Sequence, residues 1–248
     1  NRKIMPDGIP RKAHVAWGIL DVAKAVVTVV FLGYALSAAA AIISKAFHFN
    51  MDTNLRMIFG TFFIDIIAGA VILYFALVKY KERLSSLGIG LSGFYKNAIA
   101  GITAYVFIFP ILIVALIASM LLLNAIGYKQ PPQPVLDIFI EEKRNNVILF
   151  LAIFVAILGP IIEEIFFRGF LYSALKKHVG IFTGVAISGA LFSALHANLA
   201  GFLPIMILGV LMAFLYETTG SLITSISVHI LHNSIILGFV FFIKELLK

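Results

Sequence analysis

The sequence contains no cysteine, which excludes disulfides, thiolate metal sites and a cysteine nucleophile together. Any chemistry has to come from oxygen and nitrogen side chains. Charge is scarce as well: 12% of the 248 residues are Asp, Glu, Lys or Arg, against about 25% in a soluble domain. What fills the space is apolar, 61% of the chain, with a mean hydropathy of +1.05. A chain this apolar cannot wrap a globular core in polar surface, so most of its outer surface meets lipid and no large soluble domain fits beside it. The balance of 19 basic against 12 acidic residues gives a net charge of +7. The basic residues stand in short clusters between apolar runs, as topology signals do, which argues against a nucleic-acid partner. The first apolar run is too long for a cleaved signal peptide and has no small-residue cleavage pattern behind it, so it reads as a mature span.

Uncharged or nearly uncharged runs long enough to cross a bilayer cover residues 25–44, 57–78, 97–128 and 147–175, with three more at 179–196, 197–216 and 218–243. Asp65 interrupts the second run, and the third exceeds one crossing, so it must tilt, bend at Pro110 or extend beyond the membrane. The connection 79–96 is basic and reads as a segment lying at the interface, while 130–146 holds a PPQP sequence followed by a charged amphipathic stretch. The expected fold is an all-α, polytopic transmembrane helical bundle of about seven to eight spans. Its N-terminal part, 1–145, carries a tail and three spans, and 146–248 carries the candidate chemistry. If the spans alternate, Arg2, Lys3, Arg11, Lys12, Lys79, Lys81, Arg83, Lys96, Lys176 and Lys177 fall on one side, which predicts a cytoplasmic N-terminus; Lys244 and Lys248 would then be contrary signals.

Ionisable residues inside a span are costly and mark function or a satisfied pair. Three places hold them: Glu163-Glu164-Ile165-Phe166-Phe167-Arg168 in the fourth run, His196 at the end of Phe192-Ser193-Ala194-Leu195-His196, and His229-Ile230-Leu231-His232-Asn233 in the last. At about 1.5 Å per helical residue, Glu163 lies roughly 20 Å from the basic side, His196 roughly 24 Å, and His229 and Asn233 roughly 14 and 20 Å, so they can meet near one level. Glu164 and Arg168 share a face at i, i+4 and suit a buried ion pair, while Glu163 is turned about 100° away. His229 and Asn233 also share a face, with His232 off to one side.

A carboxylate and an imidazole can hold a water between them while the carboxylate takes its proton, and a second imidazole with a carboxamide can donate to the oxyanion that forms. That is hydrolase chemistry. A polar network that only glues helices together is the plain structural alternative. Zinc held by Glu163, Glu164, His196 and His229 is a mechanistic rival, although adjacent glutamates on a regular helix do not converge on one ion. No HExxH is present, and Ser188-Gly189 is a small-residue packing site before it is a serine turn. Asp21 and Asp65 are expected to pair locally or face water, and His14, His48 and His178 to be solvated at the interface.

At these residues the sequence resembles the CPBP family (CAAX protease and bacteriocin-processing, or Abi), whose pattern is EExxxR, FxxxH and HxxxN or HxxxD on successive membrane helices. Glu163-Glu164 with Arg168, Phe192 with His196, and His229 with Asn233 match it in order. The resemblance implies a glutamate-dependent intramembrane endopeptidase with a conical cavity, related to the CAAX prenyl endopeptidase. It implies Glu163 as the base, His196 as its partner, His229 and Asn233 as the oxyanion site, and Glu164 and Arg168 in support, with no cofactor. The implied partner is a peptide or membrane-protein substrate, prenylated or not, cut by an integral protein of a prokaryotic cytoplasmic membrane. The family generally has eight spans, one more than counted here. A non-catalytic scaffold or bacteriocin-immunity protein using the same cavity is the alternative from another class; a transporter is disfavoured, because no paired broken helices occur in two repeats.

Overall fold

A computed structural model describes residues 15–48, 52–131 and 134–246, without the side chains of 134–136. Arg2, Lys3, Arg11, Lys12, His14 and Lys248, and residues 132–133 of the PPQP sequence, lie outside the described residues.

Backbone polar groups in lipid have to be satisfied within their own segment, and the chain does this with helices throughout: among the described residues there is no strand. The helices are α1 (Ile19–Ala46), α2 (Thr53–Leu73), α3 (Phe94–Ala125), α4 (Pro134–Glu141), α5 (Asn145–Ile153), α6 (Gly159–Glu164), α7 (Ser173–Leu195), α8 (Phe202–Thr219) and α9 (Leu222–Leu246). Helix α2 runs on through a π-helical turn, Tyr74–Lys79, and two further π-helical stretches, Phe154–Leu158 and Ile165–Tyr172, join α5, α6 and α7 into one path. Among the described residues, six helical stretches are long and apolar enough to cross a membrane. The longest, Asn145–Leu195, breaks at Gly180, whose φ of 79° and ψ of 175° leave the helix. Gly184 beyond the break packs on Lys176 Cα and the Tyr172 ring, so the two arms are antiparallel. With that break the bundle has seven traversing helices, matching the seven runs of the sequence. Helix α3, 32 residues and so about 48 Å long, continues through Pro110 and exceeds the apolar thickness of a bilayer.

Small residues let the helices approach. A Cβ on Gly101 of α3 would stand 2.3 Å from the Thr224 carbonyl oxygen of α9, and one on Gly209 of α8 would stand 2.9 Å from Gly189 Cα of α7. Ser188-Gly189 is therefore a packing site, with Ser188 Oγ 3.4 Å from the Phe167 carbonyl.

The two ends of the bundle differ. At the basic end, the connection expected to lie along the interface is largely exposed and anchored at one point: Leu84–Leu87 is a 3₁₀ turn, Leu87 is fully buried, its carbonyl accepts from Tyr216 Oη (3.0 Å), and Gly88 O accepts from Leu222 N (3.0 Å). Asp21 pairs with Lys79 Nζ and Tyr80 Oη, both at 2.6 Å, and Glu217 accepts from Tyr172 Oη (3.0 Å) and Lys176 Nζ (2.7 Å). Trp17 Nε1 donates to the Phe170 carbonyl (3.0 Å), tying the entry of α1 to the same end. The opposite end carries α4, the amphipathic stretch foreseen after the PPQP sequence. Lys244 Nζ of α9 donates to the carbonyls of Phe139 (2.9 Å) and Glu142 (2.7 Å), and Gln130 Nε2 reaches Asn198 Oδ1 (2.8 Å) in the α7–α8 turn. Arg144 bridges Glu142 (2.6 Å) and Asp52 (2.7 Å); its hydrogen bonds hold the Glu142 carboxyl down to about 2 and draw Asp52 below its ordinary value. His48 and His178 are exposed, as expected.

Because the methyl of Gly101→Ala would meet main chain, α3 and α9 have to separate. We expect that substitution to cost about 1–3 kcal/mol, the usual penalty of overpacking, read as a lower thermal midpoint in detergent. An unchanged midpoint would contradict the close α3–α9 approach.

Candidate active site

The path from α5 to α7 sets the site. Within the π-helical stretch Phe154–Leu158 the hydrogen bonds reach back five residues, and Gly159 N–H donates to Phe154 O. The next bond in that register would run from residue 160 to Val155 O, but Pro160 has no N–H. Asn233 Nδ2 of α9 donates to the orphaned Val155 carbonyl instead, at 2.9 Å. A proline and a π-turn on one helix thereby fix the carboxamide of another.

One turn on, the two glutamates diverge as their helical offset requires. Glu164 and Arg168 are both fully buried and paired at 2.6 Å, while the Glu163 side chain keeps 33% of its surface exposed. Arg168 also donates to Gly209 O (3.1 Å), and its guanidinium lies over the Phe192 ring at 4.5 Å. Phe192 touches both imidazoles of the site, with ring centroids 4.6 Å from His196 and 5.3 Å from His229. The first residue of the FxxxH pattern is thus the packing block between the ion pair and the histidines.

The hydrogen bonds select the tautomers. Glu164 Oε1 already accepts from Arg168 and, as an ionised carboxylate, has no proton to give, so His229 Nδ1 is the donor in its 3.0 Å contact. His229 Nε2 lies 3.9 Å from Glu163 Oε2, which has no hydrogen bond of its own. His196 Nδ1 lies 2.7 Å from the Phe192 carbonyl, which can only accept, so His196 Nδ1 is likewise the donor.

A cavity of about 300 Å³ opens beside these groups, lined by Glu163, His196, His232, Asn233 and Asp65 over apolar walls from Phe139, Phe154, Val155, Ile236 and Leu237. A Cβ on Gly159 would stand 3.8 Å from Glu163 Oε1, and glycine there keeps the approach to the carboxylate clear. The cavity lies toward the α4 end, where Phe139 belongs to α4 and His196, exposed, ends α7.

The residues singled out in the sequence are therefore brought together, with one exchange. Glu163, His196 and Asn233 reach the cavity wall. His229 does not: it is 1% exposed and stands behind Glu163, with its Nδ1 turned to Glu164. His232, placed off to one side on the helical wheel, lines the cavity instead. Asp65, expected to pair locally or face water, lines the same cavity from α2; its position in mid-span was the signal that it belonged with the site. Tyr105 of α3, invisible in any motif, contacts His232. Glu164, a candidate zinc ligand in the sequence, is committed to Arg168 and His229, and among the described residues no group of three His, Asp or Glu side chains has metal-holding geometry.

Removing one partner of the sealed pair strands the other charge. Arg168→Ala and Glu164→Ala should each cost about 3–5 kcal/mol, seen as loss of folded yield or a large drop in thermal midpoint. A midpoint within a degree or two of the parent would show that the pair does not hold the helices.

Residues 145–235 match the family model described as type II CAAX prenyl endopeptidase Rce1-like. The match begins at α5 and ends just beyond Asn233, so it spans the glutamates, the arginine and all the histidines of the site. No curated protein and no solved structure matches the chain. Over these helices, which make up less than half of its length, the chain resembles type II CAAX prenyl endopeptidases of the Rce1-like family.

Proposed function

We propose that the chain is a glutamate-dependent intramembrane endopeptidase that hydrolyses a peptide bond without a metal or other cofactor. The observation that carries this reading is that Glu163 and His196 line one cavity, with His196 Nδ1 engaged by the Phe192 carbonyl. A water held by its two hydrogens between them turns its oxygen lone pairs toward a carbonyl carbon. Glu163 takes the proton as the water attacks, and His229 Nε2, 3.9 Å from the carboxylate, stabilises the protonated form. Asn233, anchored at Val155, donates to the developing oxyanion. Glu164 and Arg168 support the site by holding His229 and Phe192 in place. The substrate is a peptide or a membrane-protein segment able to reach the cavity, prenylated or not.

Glu163→Ala should abolish cleavage of membrane-proximal peptides while the thermal midpoint in detergent stays near that of the parent. Exhaustive chelation should leave turnover of the parent intact. Undiminished cleavage by the variant would sink the glutamate mechanism, and activity lost to chelation and restored by zinc would replace it with a metal one.

The basic end of the bundle, with Lys79, Lys81, Arg83, Lys96, Lys176 and Lys177, supports an orientation in a prokaryotic cytoplasmic membrane with the N-terminus in the cytoplasm. The cavity then opens toward the far side. Since the chain has no cysteine, single cysteines report cleanly. Leu199→Cys, in the α7–α8 turn, should react with a membrane-impermeant maleimide on intact cells, and Ser85→Cys only after permeabilisation. The reversed pattern would put the cavity mouth on the cytoplasmic side.

A further inference from the structure

His232 has a place in the cavity that the FxxxH and HxxxN patterns do not give it. Its ring lines the wall next to Asn233, and its Nδ1 lies 3.0 Å from the hydroxyl of Tyr105. Tyr105 is 1% exposed, its ring packs edge-on to the imidazole with centroids 5.8 Å apart, and His232 is the hydrogen-bond partner its hydroxyl has. A buried phenol has to donate its proton or leave it unsatisfied. The hydroxyl therefore donates to Nδ1, and the neutral ring carries its proton on Nε2. Of the three imidazoles in the region, His196 and His229 use Nδ1 as donor to a neighbouring oxygen, whereas His232 uses Nδ1 as acceptor and has its N–H at Nε2.

We infer that His232 is a further catalytic residue, which donates its Nε2 proton in a hydrogen bond to the oxyanion beside Asn233, with Tyr105 as the positioning residue that fixes its tautomer. This rests on the endopeptidase reading and divides the cavity by polarity: acceptors at Glu163 and His196 hold the nucleophile, and donors at Asn233 and His232 hold the oxygen it creates. In the step itself the water oxygen bonds to the carbonyl carbon while one water proton passes to Glu163. The carbonyl π pair moves onto oxygen, where the two donors meet it. On collapse the C=O bond re-forms, the C–N bond breaks, and the proton on Glu163 goes to the departing nitrogen, giving an acid and an amine from one peptide bond and one water.

The test compares His232→Ala, His232→Gln and Tyr105→Phe with Glu163→Ala and the parent. The probes are a quenched fluorescent farnesylated CAAX peptide and an unprenylated transmembrane reporter. Loss of one oxyanion donor should lower kcat of His232→Ala about 10²-fold with little change in KM. His232→Gln, whose amide nitrogen reaches the position of Nε2, should recover most of it. Tyr105→Phe should fall about 3- to 10-fold in kcat, the effect of one lost hydrogen bond. Thermal midpoints of all variants separate these losses from unfolding. If Glu163→Ala matches the parent, the endopeptidase reading fails and this inference with it. If Glu163→Ala is inactive and His232→Ala stays within twofold of the parent, only the donor role fails. The tautomer is read without substrate from ¹⁵N-histidine NMR in detergent. A protonated Nε2 and bare Nδ1 are expected for His232, with the two forms mixing in Tyr105→Phe, and a protonated Nδ1 in the parent overturns the inference.

Discussion

The fully buried ion pair between Glu164 and Arg168 is the constraint from which the rest of the site is built. Two charges buried away from water depend on partners within the protein, and the arginine collects its contacts from several helices. It takes Glu164 from its own segment, the Gly209 carbonyl from α8 and the Phe192 face from α7. Glu164 in turn fixes His229 of α9. Of the elements joined in this way, the α5–α7 path and α9 carry cavity residues. The close approach of Gly189 and Gly209 belongs to the same arrangement, because a side chain at Gly209 would push away the backbone that presents its carbonyl to Arg168.

Against that fixed centre, irregular helical backbone aims the groups that line the cavity. A regular α-helix through 154–160 would leave a different carbonyl without a partner at Pro160; the π-register leaves Val155 O, and Asn233 is positioned to fill it. Backbone deviations in lipid persist only where something satisfies the freed group. Here the satisfying group is itself a candidate catalytic side chain, so the cost of the irregularity is met by the residue it orients.

Much of this was legible before any coordinates. Hydropathy gave the seven traversing helices, and the i, i+4 spacing of Glu164 and Arg168 gave their pairing with no knowledge of the tertiary structure. Depth counting put Glu163, His196 and Asn233 near one level, and they share a cavity. The exchange of His229 and His232 was not legible. Both sit on α9 within one turn, and which of them faces the cavity depends on the rotation of α9 against α3 and α6, set by Gly101 under Thr224 and by Glu164. Tyr105 was hidden for the same reason: a tyrosine in a long apolar helix has no motif, and its role arises only when α9 brings an imidazole to it. In the 79–96 connection, most of which is exposed, composition did not disclose the anchor at Leu87 and Gly88, whose carbonyls accept from Tyr216 and Leu222 more than a hundred residues away.

The asymmetry of the two ends bears on how hydrolysis can proceed inside a membrane. At the basic end, Trp17, Leu87, Tyr172 and Tyr216 are fully buried, and the polar groups there bond to one another. At the other end, α4 is tied to Lys244 of α9 and followed by the Arg144 cluster, with Phe139 in the cavity wall, and His196 is exposed at the end of its helix. The cavity therefore lies between Phe139 of α4 and His196, with Glu163 on its wall and the buried ion pair apart from it. Under the proposed mechanism the carboxylate of Glu163 accepts the proton there, while that of Glu164, one residue on, is held away from the cavity by Arg168. Two adjacent glutamates become chemically distinct through the 100° between them on a helix.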